Sequence, residues 1–172
     1  MRNAGYAACV PPGLVMLDQP EYLHVITNHL PLIGLPVAML ALIAALVTRD
    51  RTATLIGLAL VGLLALSAWP VSHYGEEGYD RVLSMADEAG GKFLAQHRAL
   101  ADRWIFLYYL SAGVAALGLT LAWKWPRTLV ASSILALVLA AASLAAGIVI
   151  AKAGGAVRHR ELRFTPPPQP PA

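Results

Sequence analysis

The chain has 172 residues, of which 58% are hydrophobic and only 13% are charged. Soluble domains are usually nearer half apolar and a quarter charged, so this composition argues against a soluble protein. The formal net charge of +3 is too small to indicate nucleic-acid binding. The single cysteine, Cys9, excludes an internal disulfide.

Four stretches contain no Asp, Glu, Lys or Arg: residues 30–48, 52–72, 104–123 and 128–151. As a helix, each is long enough to cross a hydrocarbon core about 30 Å thick. Lipid offers the backbone no hydrogen-bond partners, so such stretches must be helical. We therefore predict an all-α, integral membrane four-helix bundle of up-down-up-down topology, with a short extra amphipathic helix in its long loop.

The sequence predicts where the first two helices begin and end. Helix one begins near Pro20, because proline suits the first turn of a helix, and it ends at Thr48. Residues 49–51 then form a tight connection. Helix two runs from about Thr52 to His73 and leads into the long loop.

The long loop covers residues 74–97. It is predicted to hold the short amphipathic helix at residues 79–89, which Gly90-Gly91 would end. Helix three is expected to begin near Lys92 and to end at Trp123.

Helix four is predicted from about Thr128 to Lys152, where Gly154-Gly155 follows as a helix stop or a point of close backbone approach. The tail that ends the chain is polyproline-like. We divide the chain into an N-terminal arm (1–20), a four-helix transmembrane domain (21–163) and a Pro-rich tail (164–172). Met16 looks as natural a start as Met1.

Basic residues in short loops mark the cytoplasmic side of a membrane protein. The two tight connections hold four of them: Arg49, Arg51, Lys124 and Arg127. We therefore expect a multi-pass protein of the bacterial inner (cytoplasmic) membrane with both termini in the periplasm. The basic residues that follow helix four argue for the opposite orientation.

The histidines are the candidate functional residues. In an up-down-up-down bundle all five fall at one end, and every helix contributes at least one: His24, His29, His73, His97 and His159. Imidazole is a frequent ligand of haem iron, copper and zinc, and two helices can supply the axial pair of a b-type haem. Taken singly, each histidine is better explained as a solvated polar residue at the membrane surface than as a ligand.

We take His29, His73, His97 and His159 as candidate ligands of haem or of another metal, with His29–His97 and His73–His159 as diagonal pairs. In a regular helix His24 and His29 point about 140° apart, so we rank His29 first. The other candidates are two arginines for haem propionates and two aromatics lining the ring: Arg98, Arg158, Trp104 and Tyr108. Snorkelling arginines and an aromatic belt are the plainer interpretation of these four.

The histidine pattern also supports a resemblance. His24-x-x-x-x-His29-Leu-Pro31 resembles the His-Pro-x-x-x-His-Phe-Pro start of a bacterial family of small four-helix membrane proteins of unknown function. His73, His97 and the ending Gly154-Gly155-Ala-Val-Arg-His-Arg-Glu161 extend it over residues 22–163. Departures from the family pattern are Val25 and Arg160 in place of proline and Leu30 in place of phenylalanine. The resemblance implies a four-helix bundle and haem b of the cytochrome b kind.

The leading hypothesis is a cytochrome b-like electron carrier with one or two b haems near the outer face, more a non-catalytic carrier or subunit than an enzyme. Its expected partners are the lipid bilayer, other membrane subunits, and a quinone or a periplasmic cytochrome c. One alternative is a cofactor-free accessory subunit of a respiratory or photosynthetic complex. Another is a membrane protein that handles copper.

Overall fold

The computed structural model describes residues 16 and 18–168. Most of the N-terminal arm with Cys9, and the end of the Pro-rich tail, lie outside this part. Within it the α-helices are α1 (Pro20–His29), α2 (Leu35–Thr48), α3 (Arg51–Leu66), α4 (Ala68–Glu77), α5 (Tyr79–Ser84), α6 (Glu88–Trp104), α7 (Phe106–Lys124) and α8 (Thr128–Arg158). A π-helical segment, Leu30–Gly34, joins α1 to α2, and a 3₁₀ turn, Arg160–Leu162, follows α8.

These elements combine into four helices that are long and apolar enough to cross a membrane. They are the first span (Pro20–Thr48), the second (Arg51–Glu77), the third (Glu88–Lys124) and the fourth (Thr128–Arg158). They pack as a bundle, with α5 as the short extra helix in the loop between the second and third spans. The predicted all-α membrane bundle is confirmed.

The core of the bundle combines a few large side chains with many alanines and glycines. Leu35, Leu42, Leu58 and Val61 are fully buried. Small residues bring the helices close together: a Cβ atom added to Gly57 would lie 2.9 Å from the Cα atom of Leu42 on the first span. Close backbone approach of this kind is how helices associate in lipid, where apolar surface alone gives no driving force.

Prolines interrupt two of the spans near the end that carries the histidines. Pro31 and Pro36 lack the N–H group that a regular helix needs, and the π-helical segment lies where they enter the first span. In the second span the break falls at Ser67, three residues before Pro70. The hydroxyl of Ser67 donates to the carbonyl of Leu64 (2.6 Å).

Three predicted helix ends were wrong. The second span continues past His73 to Glu77. Gly90-Gly91 does not break a helix but lies within α6, because Asp87 caps that helix by accepting from the N–H of Gly90 (2.7 Å). The fourth span passes through Gly154-Gly155 and ends at Arg158.

Gly57→Ala should destabilise the bundle, since the added Cβ would overlap the backbone of the first span. Overpacking of this kind costs about 1–3 kcal/mol. The matched control is Gly113→Ala, whose Cβ would meet nothing within 4 Å. Thermal unfolding of the purified protein in detergent should show a lower midpoint for Gly57→Ala alone. Equal midpoints for the two variants would contradict the packing described here.

Candidate functional site

His24 in α1 is held by the second span. Its Nδ1 atom lies 2.8 Å from the carbonyl oxygen of Val71 in α4. A carbonyl oxygen only accepts hydrogen bonds, so Nδ1 must donate and therefore carries the proton. In the neutral ring this leaves Nε2 as the basic nitrogen, which is the arrangement usual for a histidine that binds a metal.

His97 in α6 is held in the same way by the fourth span. Its Nδ1 atom donates to the carbonyl oxygen of Ile150 in α8, over 2.9 Å. The part of the chain that the structure describes gives no hydrogen bond to Nε2 of either His24 or His97. Each imidazole therefore offers one free nitrogen.

A glycine makes room for each of the two rings. Gly75 follows Val71 by one helical turn, and a Cβ atom on it would lie 2.9 Å from Nδ1 of His24. Gly154 stands in the same relation to Ile150, and its Cβ would lie 3.0 Å from Nδ1 of His97. The first and second spans thus build the same arrangement of histidine, carbonyl and glycine as the third and fourth spans.

The two imidazoles lie next to each other between these helix pairs. Their ring centroids are 6.0 Å apart and their planes are perpendicular, at 90°. The helices that carry them pack mainly against α4 and α8 respectively, rather than against each other. The two histidines therefore meet across a cleft between two halves of the bundle, one formed by the first and second spans and the other by the third and fourth.

Cavities flank the two histidines. One has a volume of about 500 Å³ and the other of about 80 Å³, and both are lined by His24, His97, Asn28, Ser72, Ala101 and Ala151. The larger cavity is within the size range of binding sites for small molecules and cofactors. Its outer wall includes Val82 of α5 and Met85, so the short helix forms part of its cover.

One acidic residue in the wall of the larger cavity is only half paired. Glu21 accepts from Nε of Arg81 (2.8 Å) through Oε1, while its Oε2 atom is buried and has no hydrogen-bond partner among the described residues. Gly78 lies directly behind Glu21, where a Cβ would come within 2.9 Å of the backbone nitrogen. This contact holds the start of α1 against the beginning of the long loop.

The other candidate histidines have local partners. His29 is exposed at the edge of the larger cavity, and its Nδ1 donates to the Val25 carbonyl of its own helix (2.9 Å). His73 is exposed, stacks on Trp69 with centroids 5.6 Å apart, and approaches Glu77 to 3.4 Å. His159 pairs with Glu161 (2.9 Å) on the surface.

The structure thus places His24, rather than His29, beside His97. It shows no contact between the members of the two predicted diagonal pairs among the residues it describes. His29 is preferred from the sequence because the two side chains point about 140° apart in a regular helix, but that angle does not tell which of the two faces the other helices. If helix two is continued through Gly75, the carbonyl of Val71 and Gly75 lie one turn apart at the depth of His24, which is the signal that the sequence offered.

Three of the four remaining candidates lie at the cavities. Arg98 and Arg158 line the larger one; the Arg98 guanidinium lies 5.0 Å from the centre of the Tyr79 ring, and Arg158 donates to the Met85 carbonyl (3.4 Å). Tyr108 is buried and lines the smaller cavity against Gly147. Trp104 lies beside Arg103 and is not among the residues that line either cavity.

Arg163, which follows the 3₁₀ turn after α8, forms an ion pair with Asp87, the capping residue of α6. The guanidinium of Arg163 donates to both carboxylate oxygens of Asp87 (3.0 and 2.9 Å) and to the carbonyls of Ala156 and Val157 near the end of α8. Hydrogen bonds from Arg163, and then from the N–H of Gly90, hold the pKa of Asp87 well below its usual value of 3.8. The pair therefore ties the start of α6 to the end of α8.

Residues 16 and 18–168 contain no group of three or more His, Cys, Asp or Glu side chains placed to hold a metal ion together. A metal held between the two imidazoles would therefore have two protein ligands. A scan of protein-family models finds no match to the chain, and searches of curated proteins and of solved structures find none either. The family resemblance described above stays a prediction.

The Asp87–Arg163 pair should make the thermal stability of the protein depend on pH only under acidic conditions. The folded state lowers the pKa of Asp87, so the stabilisation is fully present above pH of about 4 and is lost as the pH falls towards the lowered pKa. Asp87→Asn should reduce the unfolding midpoint at pH 7 and flatten its fall below pH 4. Midpoints measured from pH 3 to 7 check this, and parallel curves for the two proteins would contradict it.

Proposed function

We propose that this protein is a membrane electron carrier of the b-cytochrome type, in which one haem is held between His24 and His97. The observation that carries the proposal is the pair of imidazoles facing each other from opposite halves of the bundle. Each has its Nδ1 proton fixed on a carbonyl and its Nε2 free. Axial ligation of a b-type haem requires two such nitrogens.

The spacing of the rings supports this assignment. A bond between a metal and an imidazole nitrogen is about 2 Å long. The nitrogen lies about 1.1 Å from the centre of a five-membered ring whose bonds are about 1.33 Å. Two imidazoles bound to opposite sides of one metal therefore place their centroids about 6 Å apart, and those of His24 and His97 are 6.0 Å apart.

The ligand set also favours haem over an isolated copper or zinc ion. A porphyrin supplies four nitrogen ligands of its own, so two imidazoles complete the coordination, whereas protein sites for single zinc or copper ions commonly use three or more protein ligands. The flanking cavities offer space beside the imidazole pair. Arg98 and Arg158, which line the larger cavity, are suitable partners for propionates.

A bound haem would supply one-electron chemistry, and the chain's own residues would hold and tune it. The hydrogen bonds from Nδ1 to Val71 and Ile150 make each Nε2 a stronger donor to a metal. The carrier would pass electrons between a membrane partner, such as the quinone pool, and an acceptor at the face that carries the histidines. With the basic tight loops in the cytoplasm, that face is periplasmic.

The test is a visible spectrum of the protein purified in detergent, with haem measured per chain. The wild type should show a Soret band and, after reduction, an α-band. His24→Ala and His97→Ala should each lower the haem content by about ten-fold or more, and millimolar imidazole should restore part of the band. His73→Ala and His159→Ala are matched controls that should keep it, because these histidines are exposed and locally paired.

Two results would overturn the proposal. One is a wild-type protein with no Soret band even when it is produced with added haem. In that case, metal analysis would separate a copper-handling protein from a cofactor-free subunit. The other is full haem retention in both His24→Ala and His97→Ala.

A further inference from the structure

Resting on the proposed haem, we infer that the chain holds the two axial imidazoles perpendicular to each other, and that Gly75 and Gly154 are the positioning residues that make this possible. An axial imidazole can in principle turn about its bond to the metal. A hydrogen bond from its other nitrogen to a fixed acceptor stops that rotation. Here each ring has its own fixed acceptor.

The acceptors set the angle between the rings. His24 donates to Val71 in the second span and His97 to Ile150 in the fourth, so each plane is fixed by a different helix. The two planes lie at 90°. Because both acceptors are main-chain carbonyls within helices, neither can follow a rotating ring.

The glycines allow the rings to reach these carbonyls. A Cβ atom on Gly75 would lie 2.9 Å from Nδ1 and 3.1 Å from Cε1 of His24. On Gly154 it would lie 3.0 and 3.1 Å from the same atoms of His97. All four distances are shorter than ordinary van der Waals contact, so alanine at either position has to turn or push the facing imidazole. The metal-binding residue itself is left in place.

Electron paramagnetic resonance of the oxidised protein reads this angle directly. Low-spin ferric haem with parallel imidazole planes gives a rhombic spectrum with three resolved features. Perpendicular planes give a strongly anisotropic spectrum dominated by a single feature at low field. The wild type should show the anisotropic form.

Gly75→Ala and Gly154→Ala should each keep most of the haem and shift the spectrum towards the rhombic form. The matched control is Gly155→Ala, next in the chain to Gly154, whose Cβ would meet only the tip of the Leu162 side chain at 3.1 Å. It should keep the wild-type spectrum. A general loss of packing would not by itself convert one spectral form into the other.

The outcomes separate this inference from the proposed function. A wild type that binds haem but gives a rhombic spectrum overturns the perpendicular arrangement and leaves the carrier in place. Unchanged spectra in both glycine variants overturn the positioning role. If a variant fails to fold, the wild-type spectrum by itself still decides the angle between the two rings. A wild type without haem overturns the carrier, and this inference with it.

Discussion

Lipid supplies no hydrogen-bond partners, so an N–H group within a membrane-spanning bundle is best satisfied by an acceptor inside the protein. An imidazole among apolar helices has one N–H group to satisfy, and here a main-chain carbonyl of the neighbouring span accepts it. That contact requires the ring to lie against helix backbone, which only glycine permits. The packing of α1 on α4 and of α6 on α8 brings each ring against that backbone.

The breaks in the spans lie near these contacts. The π-helical segment follows α1 directly, and the interruption at Ser67 precedes the turn that carries Val71. Prolines explain both, since each removes a donor from the helix and displaces the turn before it. Irregular backbone at membrane depth is tolerated where it borders a cavity, and Pro31 and Leu32 of the π-helical segment both line the smaller one.

The sequence was sufficient to predict the four spans, because runs free of charge have few structural alternatives. It also placed the histidines at one end. The helix ends predicted at Gly90, Gly154 and His73 were wrong. Glycine can end a helix or allow two helices to pack closely, and the neighbouring helix decides between these two roles. The sequence could not rank His24 above His29, since that choice depends on which carbonyl and which glycine face each ring across the bundle.

The two halves of this chain each present one histidine, already oriented by its own carbonyl and glycine. During synthesis the first half can complete its share of the site as soon as the second span has packed on the first. The second ring is in place only when Ile150, near the end of the fourth span, has been inserted. On the proposed function, cofactor loading therefore follows insertion of the fourth span, and a chain truncated before that span would carry one oriented ligand and no complete site.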